Sequence, residues 1–247
     1  MKLNEMKRLF YIAVIVFIFG NSVAFAEDDG PAFSADVGTF NKYIWRGYEL
    51  NNNSIVIQPS VTLGYRGFSA NAWANIDTGS DVDNAWNEND FTLSYDTSVG
   101  PVSLGAGYIY YSIIDAEDTQ EIYVSAGYDT LLAPTFTIYR DIDGFPGYYI
   151  NFGLSHSINV TEEISLDLSG GLGYYISCND DYMEAGTDKR YRGLQDGLLT
   201  AGLTIPINEY LTVSPSLSYS FALSDKAEDS LRISSNIFGG VVLSFVF

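Results

Sequence analysis

The sequence predicts an all-β protein, a transmembrane antiparallel up-and-down β-barrel of about 12 strands. Three observations predict it. Apolar and polar residues alternate with a period of two from Phe33 to Phe247, and no helical period persists over a useful window there. The connections between these segments are short and long in turn. Beyond the N-terminal apolar run no stretch has the length of a membrane helix, so a crossing has to be made by a closed sheet, which satisfies every backbone group in lipid.

At the N-terminus, Lys2, Lys7 and Arg8 precede the apolar run 9–19, and Ala24-Phe25-Ala26 supplies the small residues of a cleavage site. Residues 1–26 are therefore expected to be a cleaved secretory signal peptide, and residues 27–247 a single outer-membrane barrel of a Gram-negative bacterium. The apolar run is too short for a spanning helix of about 20 residues. The formal charge of -19 argues against nucleic acid as a partner, because binding there rests on Lys and Arg neutralising phosphates. The lone Cys178 cannot make an internal disulfide.

Each strand is justified by its two faces. Segment 33–46 sets Val37, Tyr43 and Trp45 against Ser34, Asp36 and Lys42, and 55–65 sets Ile55, Ile57, Val61, Leu63 and Tyr65 against Gln58, Ser60 and Thr62. After the Arg66-Gly67 turn, 68–77 carries Ser69, Asn71 and Asn75 on the polar face, and 90–99 sets Phe91, Leu93 and Tyr95 against Ser94 and Asp96. Segments 102–112 and 121–129 place Leu104, Tyr108, Tyr110, Ile122, Val124 and Tyr128 on the apolar face. Segment 134–141 falls short of the about 9 to 11 residues of a spanning strand, while 148–157 carries Asn151 inward. Segment 164–176 sets Leu166, Leu168, Leu172 and Tyr174 against Ser165 and Asp167; 198–207 carries Thr200 and Thr204. Segment 211–221 alternates Leu211, Val213, Leu217 and Tyr219 with Thr212, Ser214, Ser216, Ser218 and Ser220, and 237–247 ends on an apolar face. Both termini are expected on the periplasmic, short-turn side.

Aromatic residues near strand ends, Tyr43, Trp45, Tyr65, Tyr110, Tyr128, Tyr174 and Phe221, fit girdles at the two membrane interfaces. Gly38, Gly64, Gly105, Gly107, Gly127, Gly153, Gly171, Gly173 and Gly202 fall on the polar face, where they are expected to leave the lumen partly open. Pro59 and Pro215 each remove a ladder donor in mid-strand, so a bulge is expected at each. Whether such an interior is open or filled depends on packing that periodicity does not set.

Phe40-Asn41-Lys42-Tyr43-Ile44-Trp45-Arg46-Gly47, followed by Ile57-Gln58-Pro59 and by the run from Gly67 through Trp73 to Asn75, resembles the start of the TorF-like porin family, the Gcw_chp type. Asn41 stands where that family usually has Ser. The terminal Phe247 on an alternating strand likewise resembles the C-terminal signature of outer-membrane barrels. The resemblance implies an outer-membrane barrel with a pore role.

On that reading the chain is a channel for passive diffusion of small hydrophilic solutes or ions, set in outer-membrane lipid and lipopolysaccharide. Asp36, Lys42, Arg46, Gln58, Asn71, Asn75, Asp96 and Asp167 would line the path. Lys42 and Arg46, at spacing i, i+4 on one strand face, form either a basic strip for anions or a brace to Asp36, Asp96 or Glu121. The acidic loop residues, among them Asp81, Asp83, Glu88, Asp115, Asp118, Asp180 and Glu184, read as a solvated rim. They match no calcium loop, and no metal or cofactor is expected. Two alternatives stand beside the channel: a non-conducting structural or adhesion barrel using those loops, and an outer-membrane acyl hydrolase built on the single His156. Ser155 and Ser157 flank His156 but point to the opposite face, which argues against an enzyme.

Overall fold

The computed structural model describes residues 30–51, 54–80, 84–114 and 116–247. The expected signal peptide, Asp81, Asp83 and Asp115 lie outside the described residues. In chain order the elements are β1 (Ala32–Phe40), β2 (Ile44–Trp45), β3 (Tyr48–Glu49), β4 (Val56–Tyr65), β5 (Phe68–Asp77), β6 (Trp86–Val99) and β7 (Val102–Ile113). There follow β8 (Thr119–Tyr128), β9 (Thr135–Asp141), β10 (Gly147–Asn159), β11 (Ser165–Ser177), β12 (Arg192–Pro206), β13 (Leu211–Ala222), a helix α1 (Asp225–Leu231) and β14 (Asn236–Val246).

Twelve of the strands close into one antiparallel barrel in which each pairs with its sequence neighbour and β1 meets both β14 and β4; β2 and β3 pair only with each other. The side-chain period decides which face is which. Val61, Leu63, Phe91, Leu93, Val124, Leu199 and Leu217 are exposed on the outside, whereas Ser34, Ser60, Thr62, Asn151, Ser218 and Ser220 are buried on the inside. An apolar exterior around a polar interior is the inverse of a water-soluble barrel and suits a hydrocarbon surround. Phe68 against Tyr95 at 4.7 Å and Phe33 against Phe247 at 5.6 Å place aromatic rings at the short-turn rim.

Several expectations change. The first strand ends at Phe40, not at residue 46. Asn41 finishes the pairing by exchanging bonds with Gly239, its N–H donating to the Gly239 carbonyl at 3.1 Å and its Oδ1 accepting from the Gly239 N–H at 2.8 Å. The chain then turns inward, so Tyr43 and Trp45 lie inside the barrel against Trp73 and Tyr111 and take no part in a girdle. Neither proline makes a bulge. The β1–β4 ladder runs through Pro59 and the β13–β14 ladder through Pro215, and on their other sides the rungs are skipped with no change of register. Each missing donor thus falls on one neighbour only. The register shifts instead at Asn75/Ile76 and Leu172/Tyr174.

The helix α1 was not foreshadowed by any period, being too short for one; Ser224 caps it, accepting from the Ala227 N–H. The inward glycines do less to open the lumen than expected. A Cβ on Gly107 would strike the Tyr123 ring, one on Gly173 the Tyr149 ring and one on Gly147 the Tyr175 ring, so these positions are small because aromatic rings lie over them.

Candidate functional site in the lumen

Residues 41–51 fold down into the barrel as a hairpin. Its turn is Arg46-Gly47, with φ of 48° and 87°, the two positive values that a two-residue type I′ turn demands. Gly suits the second position, where a Cβ would also lie 2.8 Å from Cβ of Asp196. Arg in the first costs on the order of 1–2 kcal/mol. Two ties close the hairpin's open end: Lys42 Nζ donates to Glu49 Oε1 at 2.8 Å and to Asn236 Oδ1 at 2.9 Å, and Asn51 Oδ1 accepts from the Tyr43 N–H at 2.6 Å.

The strain at Arg46 is offset by what its side chain meets. Nη1 and Nη2 donate to the two oxygens of Glu121 at 2.7 and 2.8 Å, a bidentate pair in which Arg46 is 7% and Glu121 2% exposed. The guanidinium carbon also stands 4.5, 4.6 and 4.3 Å from the ring centres of Trp45, Tyr139 and Tyr149. Around this pair, Tyr111 Oη donates to Glu121 at 2.9 Å, Tyr149 Oη donates to Asp196 at 3.0 Å, and Gln195 Nε2 donates to the Arg46 carbonyl at 2.8 Å. A void of about 20 Å³ lies beneath the turn, lined by Trp45, Gly47, Asp196, Leu198 and Ser220, which is room for one water.

The long loops close over this hairpin. Tyr191, Ala227, Leu231 and Ile233 form a buried cluster against which Tyr48, Tyr175 and Tyr182 pack. Glu184 accepts from Lys226, and that bond holds its carboxyl below the usual carboxylate range. Arg190 donates to Asp180 at 2.7 Å. Part of the expected acidic rim is thus engaged in bracing the cover.

The eight residues expected to line the path separate into two groups. Gln58 donates to Asn75 Oδ1 at 3.0 Å and Asn75 to Asn87 Oδ1 at 2.8 Å on the barrel wall of the long-loop half, where Lys42 and Arg46 belong to the inward hairpin. Lys42 and Arg46 do not share a barrel wall, because the strand that was to carry them ends before both. Of the partners weighed for Arg46, Glu121 is the one it meets. Towards the short turns, Asp36 accepts from Ser60 at 3.4 Å, Asn71 donates to Thr62 Oγ1 at 2.8 Å and Asp96 accepts from Ser94 at 3.2 Å. Asp167 accepts from Ser157 at 2.6 Å, Thr204 at 2.7 Å and Ser165 at 3.1 Å. Sequence reasoning passed over Tyr111, Tyr139, Tyr149 and Asp196. Parity with Gly107, Thr137 and Asn151 on their own strands turns the three tyrosines inward, but an aromatic residue on a polar face invites no attention by composition. His156 lies by the short turn of residues 129–134 with Nδ1 2.8 Å from the Leu131 carbonyl, while Ser157 is committed to Asp167.

Comparison with solved structures agrees on the architecture. A structure of the NanC porin superposes with a TM-score of 0.58 at 12% identity, covering 85% of this chain and 98% of the other. A second structure, from work on the in-meso crystallization of membrane proteins, superposes with a TM-score of 0.50 at 10% identity, covering 87% of this chain and 84% of the other. This chain has the fold of the outer-membrane β-barrels. No family model matches it, and no curated protein matches it significantly.

Proposed function

We propose that this chain is an outer-membrane channel for passive diffusion of small hydrophilic solutes, narrowed by its own inward hairpin and related to the TorF-like porins. One observation carries the reading: in a closed barrel with an apolar exterior, the hairpin 41–51 enters the interior and pins its tip to the opposite wall through Arg46 and Glu121. A purely structural barrel needs no such crossing. The likeness to the NanC porin supports the same reading at the level of fold.

Asp36, Asn71, Asp96 and Asp167 then line the vestibule of the short-turn half, and Lys42, Arg46, Gln58 and Asn75 the constriction. Glu88, Glu121, Asp141 and Asp196 are buried in the long-loop half, where Glu121 pairs with Arg46; carboxyl groups outnumber Lys42 and Arg46 there, so the interior favours cations. The apolar exterior meets outer-membrane lipid and lipopolysaccharide.

A non-conducting barrel is the second reading, favoured by the complete burial of Tyr191 and Ile233 where the loops close over the hairpin. Single-channel recording of the refolded chain separates the two. Small discrete steps with a cation-selective reversal potential are expected, and removal of residues 43–49 is expected to enlarge them. A shortened chain that folds but never conducts would leave the structural barrel.

A further inference from the structure

We infer that the lumen wall facing the hairpin tip is a guanidinium-recognition site, occupied at rest by the chain's own Arg46, and that small guanidinium-bearing cations are a class of ligand this barrel takes. The second half of that statement rests on the channel reading; the site itself does not.

The wall belongs to the barrel and not to the hairpin. Tyr111 on β7, Glu121 on β8, Tyr139 on β9 and Tyr149 on β10 come from four consecutive strands, and the registers Tyr139↔Tyr149, Tyr123↔Tyr139 and Ile109↔Glu121 put them directly or diagonally beside one another on the inner face. Glu121 is oriented by the Tyr111 hydroxyl at 2.9 Å, independently of Arg46. Removing the hairpin would therefore leave a carboxylate presenting both oxygens between two tyrosine faces.

That constellation selects a guanidinium over other cations. Two parallel N–H groups match two carboxylate oxygens, and a flat delocalised cation lies against ring faces, neither of which an ammonium can do equally. The tethered occupant fits the site imperfectly, because its own Nε is buried without a hydrogen-bond partner, as is Oε1 of Gln195. Besides Glu121, the tip is held by the Gln195 bond to the Arg46 carbonyl and the hairpin's open end by Lys42 and Asn51, while its turn carries a non-glycine residue in the left-handed region. A free solute competes with a tethered one, so its occupancy depends on how readily the tip lifts from the wall. Exchange at the tip would then couple ligand entry to hairpin displacement.

The test uses Arg46→Ala, which removes the equivalent of ethylguanidinium, in the full chain refolded in detergent. Ethylguanidinium is expected to raise the Tm of this variant and to shift its tryptophan emission, through Trp45, about tenfold more tightly than ethylammonium of the same charge, roughly the ratio one charge-assisted hydrogen bond supplies. Adding Glu121→Gln should abolish the difference. Equal binding of the two cations, or binding indifferent to Glu121→Gln, would overturn the site. If Arg46→Ala does not refold alone, a folded yield restored by millimolar ethylguanidinium but not by ethylammonium supports the site, and no restoration by either refutes it. Because binding is read in detergent, a barrel that binds without conducting refutes the channel and keeps the site, and one that conducts without binding does the reverse.

Discussion

The same four-residue pattern occurs twice in this chain, aromatic-Arg-Gly-aromatic, as Trp45-Arg46-Gly47-Tyr48 and as Tyr65-Arg66-Gly67-Phe68. Both are two-residue hairpin turns of one geometry, with φ of 48° and 87° in the first and 50° and 84° in the second. The pairs flanking them, Trp45↔Tyr48 and Tyr65↔Phe68, are equivalent. Their surroundings are opposite. The outer turn ends a barrel hairpin at the rim, its flanking Tyr65 and Phe68 exposed and Arg66 resting 5.2 Å from the Tyr65 ring. The inner turn is driven into the lumen, where its arginine meets a buried carboxylate and three rings. Turn chemistry thus sets a local shape, and the partners the fold brings to it set what that shape does.

The largest separation between the two turns should come from one substitution made at each. Arg46→Asn leaves Glu121 buried without its partner and is expected to destabilise the barrel by about 3–5 kcal/mol. Arg66→Asn places the residue that type I′ turns prefer at an exposed rim and is expected to stabilise by about 0.5 kcal/mol. Urea unfolding of the two variants in lipid vesicles reads the opposite signs; equal shifts would show that the inner ion pair contributes nothing beyond the turn.

Glycine substitution sharpens the comparison at intermediate size. Gly47→Ala and Gly67→Ala both demand positive φ of a residue with a Cβ, and each should cost about 1–3 kcal/mol. The consequences should differ. A Cβ at residue 47 presses on Asp196 and Ile233, so the inner variant should lift the hairpin tip and change tryptophan emission and conductance. At residue 67 the Cβ would fall 2.5 Å from the Asp96 backbone oxygen, so the outer variant should slow refolding and leave the conductance of the folded fraction unaltered.

The smallest effect concerns the cover that only the inner turn possesses. The Lys226 bond depresses the Glu184 pKa in the folded state, so its contribution is present above the ordinary carboxylate pKa of about 4.3 and is lost as pH falls through the lower folded value. The protection factors of the Ala227 and Glu228 amides in α1, corrected for the intrinsic pH dependence of exchange, should therefore fall on acidification towards pH 3, and Glu184→Gln should remove that fall. Amides of the outer turn should show no matching step.

Much of this was legible in the residues. Ser60, Thr62, Ser218 and Ser220 announced the inner face because a strand alternates strictly, and Arg66-Gly67 announced a tight turn because few pairs accept two positive φ angles. Arg46-Gly47 carried the same signal and went unread. The alternation of Tyr43 and Trp45 with Lys42 continued the preceding strand so well that periodicity outweighed turn chemistry, which is local and makes no claim on length. Pro59 and Pro215 stand out in the sequence, but sequence cannot say which neighbour a missing donor faces, and the structure has no bulge at either.

Period, loop alternation and the lack of a spanning helix determined by themselves that the chain forms a closed antiparallel sheet with a polar inner face, because those properties follow from backbone geometry and from which surface each residue must meet. Only the tertiary structure decided that the lumen is crossed, that Arg46 is the crossing group and that Glu121, Tyr139 and Tyr149 receive it. Those residues lie 75 or more positions from Arg46 in the chain, and it is the closure of the barrel, through a strand order and register set by all twelve strands together, that brings them to one point.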